Sequence, residues 1–255
     1  RGPQARVEML KKLGFQHYAY DWRAEHLPTF GEELDLLKRH GISLTGVWFP
    51  TAMNDDARTL LATLKSRDVK TQLWVTGGGG PTANADEQTQ RIAAEVARLK
   101  PIAAAAAEVG CTVGLYNHGG WFGIPENQLA IIDALKLPNV GIIYNQHHGH
   151  DDLDRFAEIL PKIKPHLYCL NLNGMDPQGD RKGRKILPLG VGTLDKQQLT
   201  IIHQSGYRGL VGILGHTQDD AEARLQDNLD GLAWLLPQLT GKAAGPVPKY
   251  RTYAA

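Results

Sequence analysis

The stretch VGIIYNQHHGH, residues 140–150, begins as an apolar run and ends in a cluster of polar side chains. Three further runs have the same form, at residues 112–118, 167–173 and 210–216. A short apolar run of this kind is typical of a strand that is buried on both faces of a parallel sheet. Since the carboxyl ends of parallel strands meet at one rim, the repetition predicts a site for small-molecule chemistry there.

The rest of the chain repeats this alternation of strand-like and helix-like segments. Seven strands are predicted, at residues 15–20, 42–49, 70–76, 112–116, 140–144, 167–172 and 210–214. Three residue pairs predict where helices begin: Thr29 with Glu32, Pro125 with Glu126, and Thr217 with Asp220. The sequence therefore predicts an α/β fold, a TIM-barrel-like (β/α) barrel of parallel strands. Residues 1–13 read as a helix with no strand before it, so an eighth strand either lies upstream of Arg1 or is missing from an open barrel.

Length and charge narrow the classes of function. A chain of 255 residues suits one barrel domain, which we place at residues 1–240, followed by an irregular tail at 241–255. The 28 Lys and Arg residues and the 27 Asp and Glu residues leave a net charge of +1, so neither a nucleic acid nor a membrane surface is the expected partner. Cys111 and Cys169 belong to apolar runs and predict two buried thiols. The compartment, cytoplasmic or exported with the signal removed, and the oligomeric state stay open.

The order of the strand ends carries a resemblance. The segments GLYNHGGW, VGIIYNQHHGH, CLNLNGM, LPLGVGTLD and GILGH resemble, in that order, the xylose isomerase-like barrel superfamily of sugar isomerases and epimerases. The resemblance covers residues 13–235 or so and implies a divalent metal held by two Glu, one Asp and one His. Asn145 stands where that Asp is expected, and His148 matches the His. Because side chains alternate along a strand, we expect His148 rather than its neighbour His147 to face the site. Asn171 or Asn173 stands where the family has a His-x-x-Asp-like pair. Gly215 or His216 stands where the family has its last metal-binding Glu.

The exchange of carboxylates for amides changes what the site can bind. Hard divalent cations prefer anionic oxygen, so a magnesium site of the family type is not expected. A softer ion such as zinc could be held by His118, His148 and His216 through neutral imidazole nitrogen. In the alternative without a metal, the same histidines act as general acid and base while Asn amides bind sugar hydroxyls. The cofactor is therefore either a divalent metal (zinc, manganese or magnesium) or none.

Aromatic residues and one charged loop complete the predicted site. Trp22, Trp48 and Trp74 end or follow the first three strands and are expected to form a stacking wall. The opposite wall consists of polar strand ends, with these members: Asn117, Asn145, Asn171 and Asn173, together with Trp121 beside His118. The charge run at 178–185 reads either as a solvated face or as a lid, of which Lys185 is the residue expected to meet the substrate.

These features predict an enzyme that acts on a small carbohydrate. His148 or His118 would remove a proton next to a carbonyl, and His216 would return a proton or activate water. Isomerisation, epimerisation and β-elimination by a keto-glycoside lyase or hydratase share this first step. A sugar-binding barrel without catalysis is the alternative from another class. A nuclease on the same barrel is disfavoured because the charge is balanced.

Overall fold

The structure, a computed structural model, describes residues 1–214 and 216–253. Within those residues the chain forms seven strands: β1 (His17–Tyr20), β2 (Ser43–Phe49), β3 (Gln72–Val75), β4 (Thr112–Tyr116), β5 (Val140–Asn145), β6 (Leu167–Leu172) and β7 (Leu210–Ile213). Every predicted strand is present, with ends that differ by a residue or two. The apolar runs are therefore buried strands, as the sequence indicated.

Helices separate most of the strands. The described part of the chain contains nine: α1 (Pro3–Lys12), α2 (Leu27–Arg39), α3 (Asp55–Ser66), α4 (Ala85–Glu108), α5 (Gly120–Gly123), α6 (Pro125–Leu135), α7 (Phe156–Ile163), α8 (Asp195–Gln204) and α9 (Ala221–Leu235). None of these helices is long and apolar enough to cross a membrane. Parallel strands alternating with helices make this an α/β, TIM-barrel-like fold.

Two of the three predicted helix starts are wrong. Helix α6 begins at Pro125 as expected. Helix α2 begins earlier than Thr29, at Leu27, because a proline in the first turn has the backbone angle that a helix needs. Helix α9 begins later than Thr217 indicates. The carboxylate of Asp220 caps it by accepting from the backbone N–H groups of residues 222 and 223, each at 3.1 Å.

The chain divides into two compact units, and the division falls within β5, after Ile143. In the first unit, strands β1 to β5 pair with their neighbours in chain order, and every pair is parallel. Its core is apolar, with Val47, Val75 and Leu115 fully buried between strands and helices. In the second unit, β6 and β7 form a parallel pair.

Each unit contains one buried cysteine, Cys111 in the first and Cys169 in the second. Neither forms a disulfide, which confirms the prediction of two buried thiols. Burial raises the pKa of both thiols, that of Cys169 to about 12. A thiol held in this protonated state is a poor nucleophile, so both cysteines are structural.

Candidate functional site

Aromatic side chains at the carboxyl ends of the first four strands contact one another. Trp22 donates its indole N–H to the carbonyl oxygen of Trp48. The ring of Trp48 lies 4.5 Å from that of Trp74 and 5.5 Å from that of Tyr116, between centroids. Tyr116 in turn stacks on Trp74 and lies 6.3 Å from the imidazole of His118. The structure thus brings together four predicted residues, Trp22, Trp48, Trp74 and His118. With Tyr116 they form what we call the aromatic network.

Trp74 fits into this network because neighbouring strands carry glycine beside it. A Cβ atom at Gly46 would lie 2.4 Å from the indole of Trp74, and one at Gly114 would lie 3.4 Å from it. The indole N–H donates to the side-chain oxygen of Gln72 at 3.0 Å, so its donor is satisfied. Trp74 is 1 % exposed and serves packing, whereas half-buried Trp48 keeps part of its ring accessible.

Trp121 has a different environment from the other tryptophans. Its indole N–H donates to Gln88 at 2.6 Å, and its backbone N–H donates to Gly79 at 2.7 Å. The guanidinium of Arg91 lies 5.6 Å from its ring centroid. These contacts fasten the glycine-rich loop at residues 77–80 to α5, so Trp121 has a structural role. Its predicted contact with a sugar, like that of buried Asn117, stays a prediction.

In the second unit, two neighbouring histidines follow β5. The Nδ1 atom of His147 lies 2.8 Å from Oδ1 of Asn145, and both residues are buried. An amide oxygen only accepts, so this contact requires the proton on Nδ1. The imidazole of His148 lies 3.6 Å from that of His147 between centroids, and His148 is half-buried. Asn145 therefore orients one ring, and that ring supports a second, more accessible one.

Three buried amide atoms near β6 find no hydrogen-bond partner among the described residues: Nε2 of Gln146, Nδ2 of Asn171 and Oδ1 of Asn173. We call them the unmet amides. The turn Gln146–His148 packs beside β6, Asn171 lies in β6, and Asn173 follows directly after that strand. Two donors and one acceptor without partners are unusual in a folded interior, where buried polar groups are normally paired. A hydroxyl-bearing ligand could satisfy both kinds of atom.

The orientation of Asn173 is fixed by its other amide atom. Its Nδ2 donates to the carbonyl oxygens of Gly174, at 2.9 Å, and of Lys185, at 3.3 Å. The same Lys185 carbonyl lies 2.9 Å from Nε2 of His150. The structure therefore uses the backbone of Lys185 to orient Asn173, while the Lys185 side chain is exposed. Its predicted contact with substrate stays a prediction.

Buried carboxylates hold the segment between β6 and α8. Asp195 accepts from the backbone N–H groups of Met175 and Gly190, both at 2.6 Å, and of Gly192 at 3.1 Å. Burial raises the pKa of Asp195 to about 7, although the three N–H donors oppose the shift. A carboxylate that gathers three backbone donors fixes the path of the chain after β6. The sequence offered no sign of this role beyond the position of Asp195 at a helix start.

The charge run at 178–185 is held in place by a second carboxylate. Burial alone would raise the pKa of Asp176, but donors from Thr193 and Arg184 outweigh it and hold the pKa below its usual value. Arg184 lies 2.6 Å from Asp176 and also contacts the hydroxyl of Tyr253. Arg184 thus has protein partners on two sides, whereas the side chain of Lys185 is exposed.

The last predicted histidine, His216, is exposed in the loop after β7. Gly215, named as the alternative for the last family carboxylate, lies outside the described residues. Among the residues that the structure describes, no three His, Cys, Asp or Glu side chains cluster in a way that could hold a metal ion. Since Oδ1 of Asn145 is engaged by His147, the donors do not fit the carboxylate shell of a hard cation. The assignment of a metal to His118, His148 and His216 stays a prediction.

A cavity of about 430 Å³ lies elsewhere, at the amino ends of β1 and β2 in the first unit. Its lining includes Lys11, His17, His40 and Ser43, most of which are exposed. Ligand sites of parallel barrels lie at the carboxyl ends of the strands, so this cavity is not the candidate site.

Sequence reasoning missed two residues of the candidate site. Gln146 was not singled out, and His147 was ranked below His148. The signal for His147 was the Asn two positions before it, which can accept from its ring.

Comparison with known proteins assigns this geometry to a family. The model of the xylose isomerase-like TIM barrel matches residues 7–237. A 3-keto-D-glucoside 4-epimerase from E. coli, YcjR, is similar in structure, with a TM-score of 0.70 at 17% identity over 92% of this chain and 94% of that one. The IOLI protein, in a structure with a binding zinc atom, has a TM-score of 0.73 at 15% identity over 92% of this chain and 93% of that one. The probable 3-DHS dehydratase AsbF from Bacillus anthracis has a TM-score of 0.69 at 16% identity over 89% of this chain and 92% of that one. No curated protein matches the chain.

Proposed function

Because the chain belongs to the xylose isomerase-like TIM barrel family, we propose that it is an enzyme that acts on a sugar or keto-sugar by removing a proton next to a carbonyl. The observation that carries the proposal is the set of unmet amides beside a pair of oriented imidazoles. Amides that lack partners in the folded chain cost stability unless a ligand satisfies them. Their presence in a buried site supports a ligand with several hydroxyl or carbonyl oxygens.

His148 is the proposed base. Its half-buried ring is accessible to a substrate, and the ring of His147, 3.6 Å away and bonded to Asn145, supports its orientation. General-base catalysis needs such positioning, because the base must reach the proton it removes within hydrogen-bond distance. His118 is the alternative base, and His216 is proposed to return a proton or to activate water.

The amides are proposed to bind the substrate and the negative charge that forms on it. Proton removal leaves an enediolate, whose oxygen is stabilised by a donor that is already in place. Nδ2 of Asn171 and Nε2 of Gln146 are such donors, and both are buried. Oδ1 of Asn173 can accept from a sugar hydroxyl. Asn145 and Asn117 are proposed to complete the polar wall.

The aromatic network is proposed to supply the apolar wall. One face of a sugar ring carries C–H groups that pack on indole, and half-buried Trp22 and Trp48 keep ring surface for such a contact. Trp121 and the exposed side chain of Lys185 are proposed as further sugar contacts.

We propose the class of reaction, and experiment decides which product forms. Proteins of similar structure include a 3-keto-D-glucoside 4-epimerase and a probable dehydratase. Epimerisation, isomerisation and β-elimination all begin with the same proton removal. The IOLI structure contains zinc, so a metal dependence is tested in the same experiment, although no step above depends on it.

The test is solvent exchange of a substrate deuterated next to its carbonyl. A panel of aldoses, ketoses and 3-keto-glycosides is incubated with the protein, with and without chelator, and loss of label is measured. We expect His148→Ala to lower the exchange rate by about 100-fold or more, as loss of a general base does. His203→Ala, at an exposed position of α8, is the matched control and should exchange at the wild-type rate. Binding of a sugar without exchange would instead support a non-catalytic barrel.

A further inference from the structure

The segment that follows α9 is tied to that helix by a buried carboxylate. Asp227 is fully buried, and it accepts from the backbone N–H groups of Arg251 at 2.9 Å and Thr252 at 2.8 Å. The Thr252 hydroxyl donates to the same carboxylate at 2.8 Å. Burial alone would raise the pKa of Asp227, but these donors outweigh it and lower the pKa. The chain end at 250–253, which we call the C-terminal strap, is therefore fixed in one place.

The strap holds a second buried residue of α9. Nη1 of Arg224 donates to the hydroxyl oxygen of Thr252 at 3.1 Å, and Nη2 donates to the carbonyl oxygen of Ile186 at 3.2 Å. The Thr252 hydroxyl thus joins a buried carboxylate to a buried guanidinium, and the guanidinium reaches the segment after β6. Charge-assisted hydrogen bonds of this kind are short and directional.

Two tyrosines of the strap contact the same segment. The hydroxyl of Tyr250 donates to the carbonyl oxygen of Leu189 at 2.9 Å, and Tyr253 contacts Arg184. Together with Arg224, they hold the segment at residues 184, 186 and 189. The position between the first two contacts is Lys185, whose carbonyl accepts from the amide of Asn173.

We infer that the C-terminal strap is a positioning element of the sugar site: through Thr252, Arg224 and the backbone at 185–186, it sets the orientation of the Asn173 amide. The inference rests on the proposed function for the role of Asn173, but the mechanical link does not. The strap lies beyond residue 237, where the family match ends, so the family pattern does not supply this part of the site.

The test replaces the Thr252 hydroxyl without changing the shape of the side chain. Thr252→Val removes both hydroxyl contacts but keeps the backbone N–H, Thr252→Ser should retain them, and Lys249→Met is the control at an exposed position next to the strap. Hydrogen exchange is followed at the amides of Gly174 and Leu187, which bond to each other's carbonyl oxygens at 2.8 and 3.3 Å. We expect Thr252→Val to speed their exchange by about 10-fold, the equivalent of one lost buried hydrogen bond.

The same variants are assayed on the sugar that the wild-type protein turns over. Thr252→Val should raise KM by about 10-fold with little change in kcat, because Asn173 binds substrate and does not move the proton. Thr252→Ser and Lys249→Met should match the wild type in both measurements. Unchanged exchange at 174 and 187 overturns the inference, as does faster exchange without a change in KM. Should no sugar turn over or bind, the proposed function fails, whereas faster exchange in Thr252→Val and its reversal in Thr252→Ser still support the link from strap to segment.

Discussion

The strand ends of the two units are built from different chemistry. In the first unit, the ends of β2, β3 and β4 carry Trp48, Trp74 and Tyr116, which pack on one another. The indole N–H of Trp74, the most buried of the three, donates a hydrogen bond to Gln72. In the second, the ends of β5 and β6 carry amides whose hydrogen-bond capacity is partly unmet. Packed aromatic rings contribute stability, whereas unmet amides subtract from it. One set of strand ends thus supports the fold, and we propose that the other binds a ligand.

The largest expected effect on stability is at Trp74. Trp74→Ala removes a fully buried indole and leaves a cavity, so the free energy of unfolding should fall by about 3–5 kcal/mol. Trp48→Ala should cost less, because its ring is half-buried. Urea denaturation with a fixed m-value gives both numbers. Equal losses of unfolding free energy for the two variants would show that the contribution of a ring in the aromatic network does not depend on how deeply it is buried.

Gly46→Ala tests the close packing around the same ring. A Cβ at 2.4 Å from the indole forces Trp74 or the backbone to move, which typically costs about 1–3 kcal/mol. Gly78→Ala is the matched control, because a Cβ there meets nothing within 4 Å, and its effect should stay within about 0.5 kcal/mol. Thermal unfolding of both variants suffices. A neutral Gly46→Ala would contradict the tight fit between β2 and β3.

In the second unit, Asn171→Leu should affect sugar binding rather than stability. It exchanges an unmet donor for an apolar group of similar volume, so the free energy of unfolding should change by less than about 1 kcal/mol or rise. Sugar affinity should fall, as measured by calorimetry. A loss of stability comparable to that of Trp74→Ala would mean that Asn171 serves the fold, and the comparison between the units would fail.

The buried carboxylates of the two units predict different responses to acid. Burial raises the pKa of Glu33 in the first unit, although its partner Arg6 opposes the shift. The pKa of Asp227 in the second unit is lowered, so its contribution is present above the unfolded value of about 3.9 and is lost as pH falls through the folded pKa. Protonation of Glu33 removes no such contribution. Below about pH 4, the protection of amides 251 and 252, measured as the exchange rate relative to the intrinsic rate at each pH, should therefore fall before that of α1 and α2. Asp227→Asn should abolish the pH dependence of this protection.

The sequence predicted the strands better than the site because burial along a strand is a local pattern. All seven apolar runs became strands, whereas the start of α2 was missed because Pro28 provides a first turn ahead of Thr29. At the site, His147 and His148 were ranked by the alternation of a strand. The chain leaves β5 at Asn145 and forms a 3-10 turn over Gln146–His148, so alternation no longer applies there.

Contacts distant in sequence explain the rest of the difference. The charge run at 178–185 gave no sign that Arg184 pairs with Asp176 and with Tyr253, because the second partner is 69 positions away. Whether Lys185 reaches a substrate depends on a ligand that the sequence does not describe.

The two buried cysteines have a practical consequence. Each compact unit contains one thiol, and burial keeps both protonated and inaccessible to alkylating reagents. Modification then requires an opening of the surrounding structure, and its rate reports the free energy of that opening. Mass spectrometry of the peptides that contain Cys111 and Cys169, after alkylation for different times, would record how often each unit opens, from one sample of the wild-type protein.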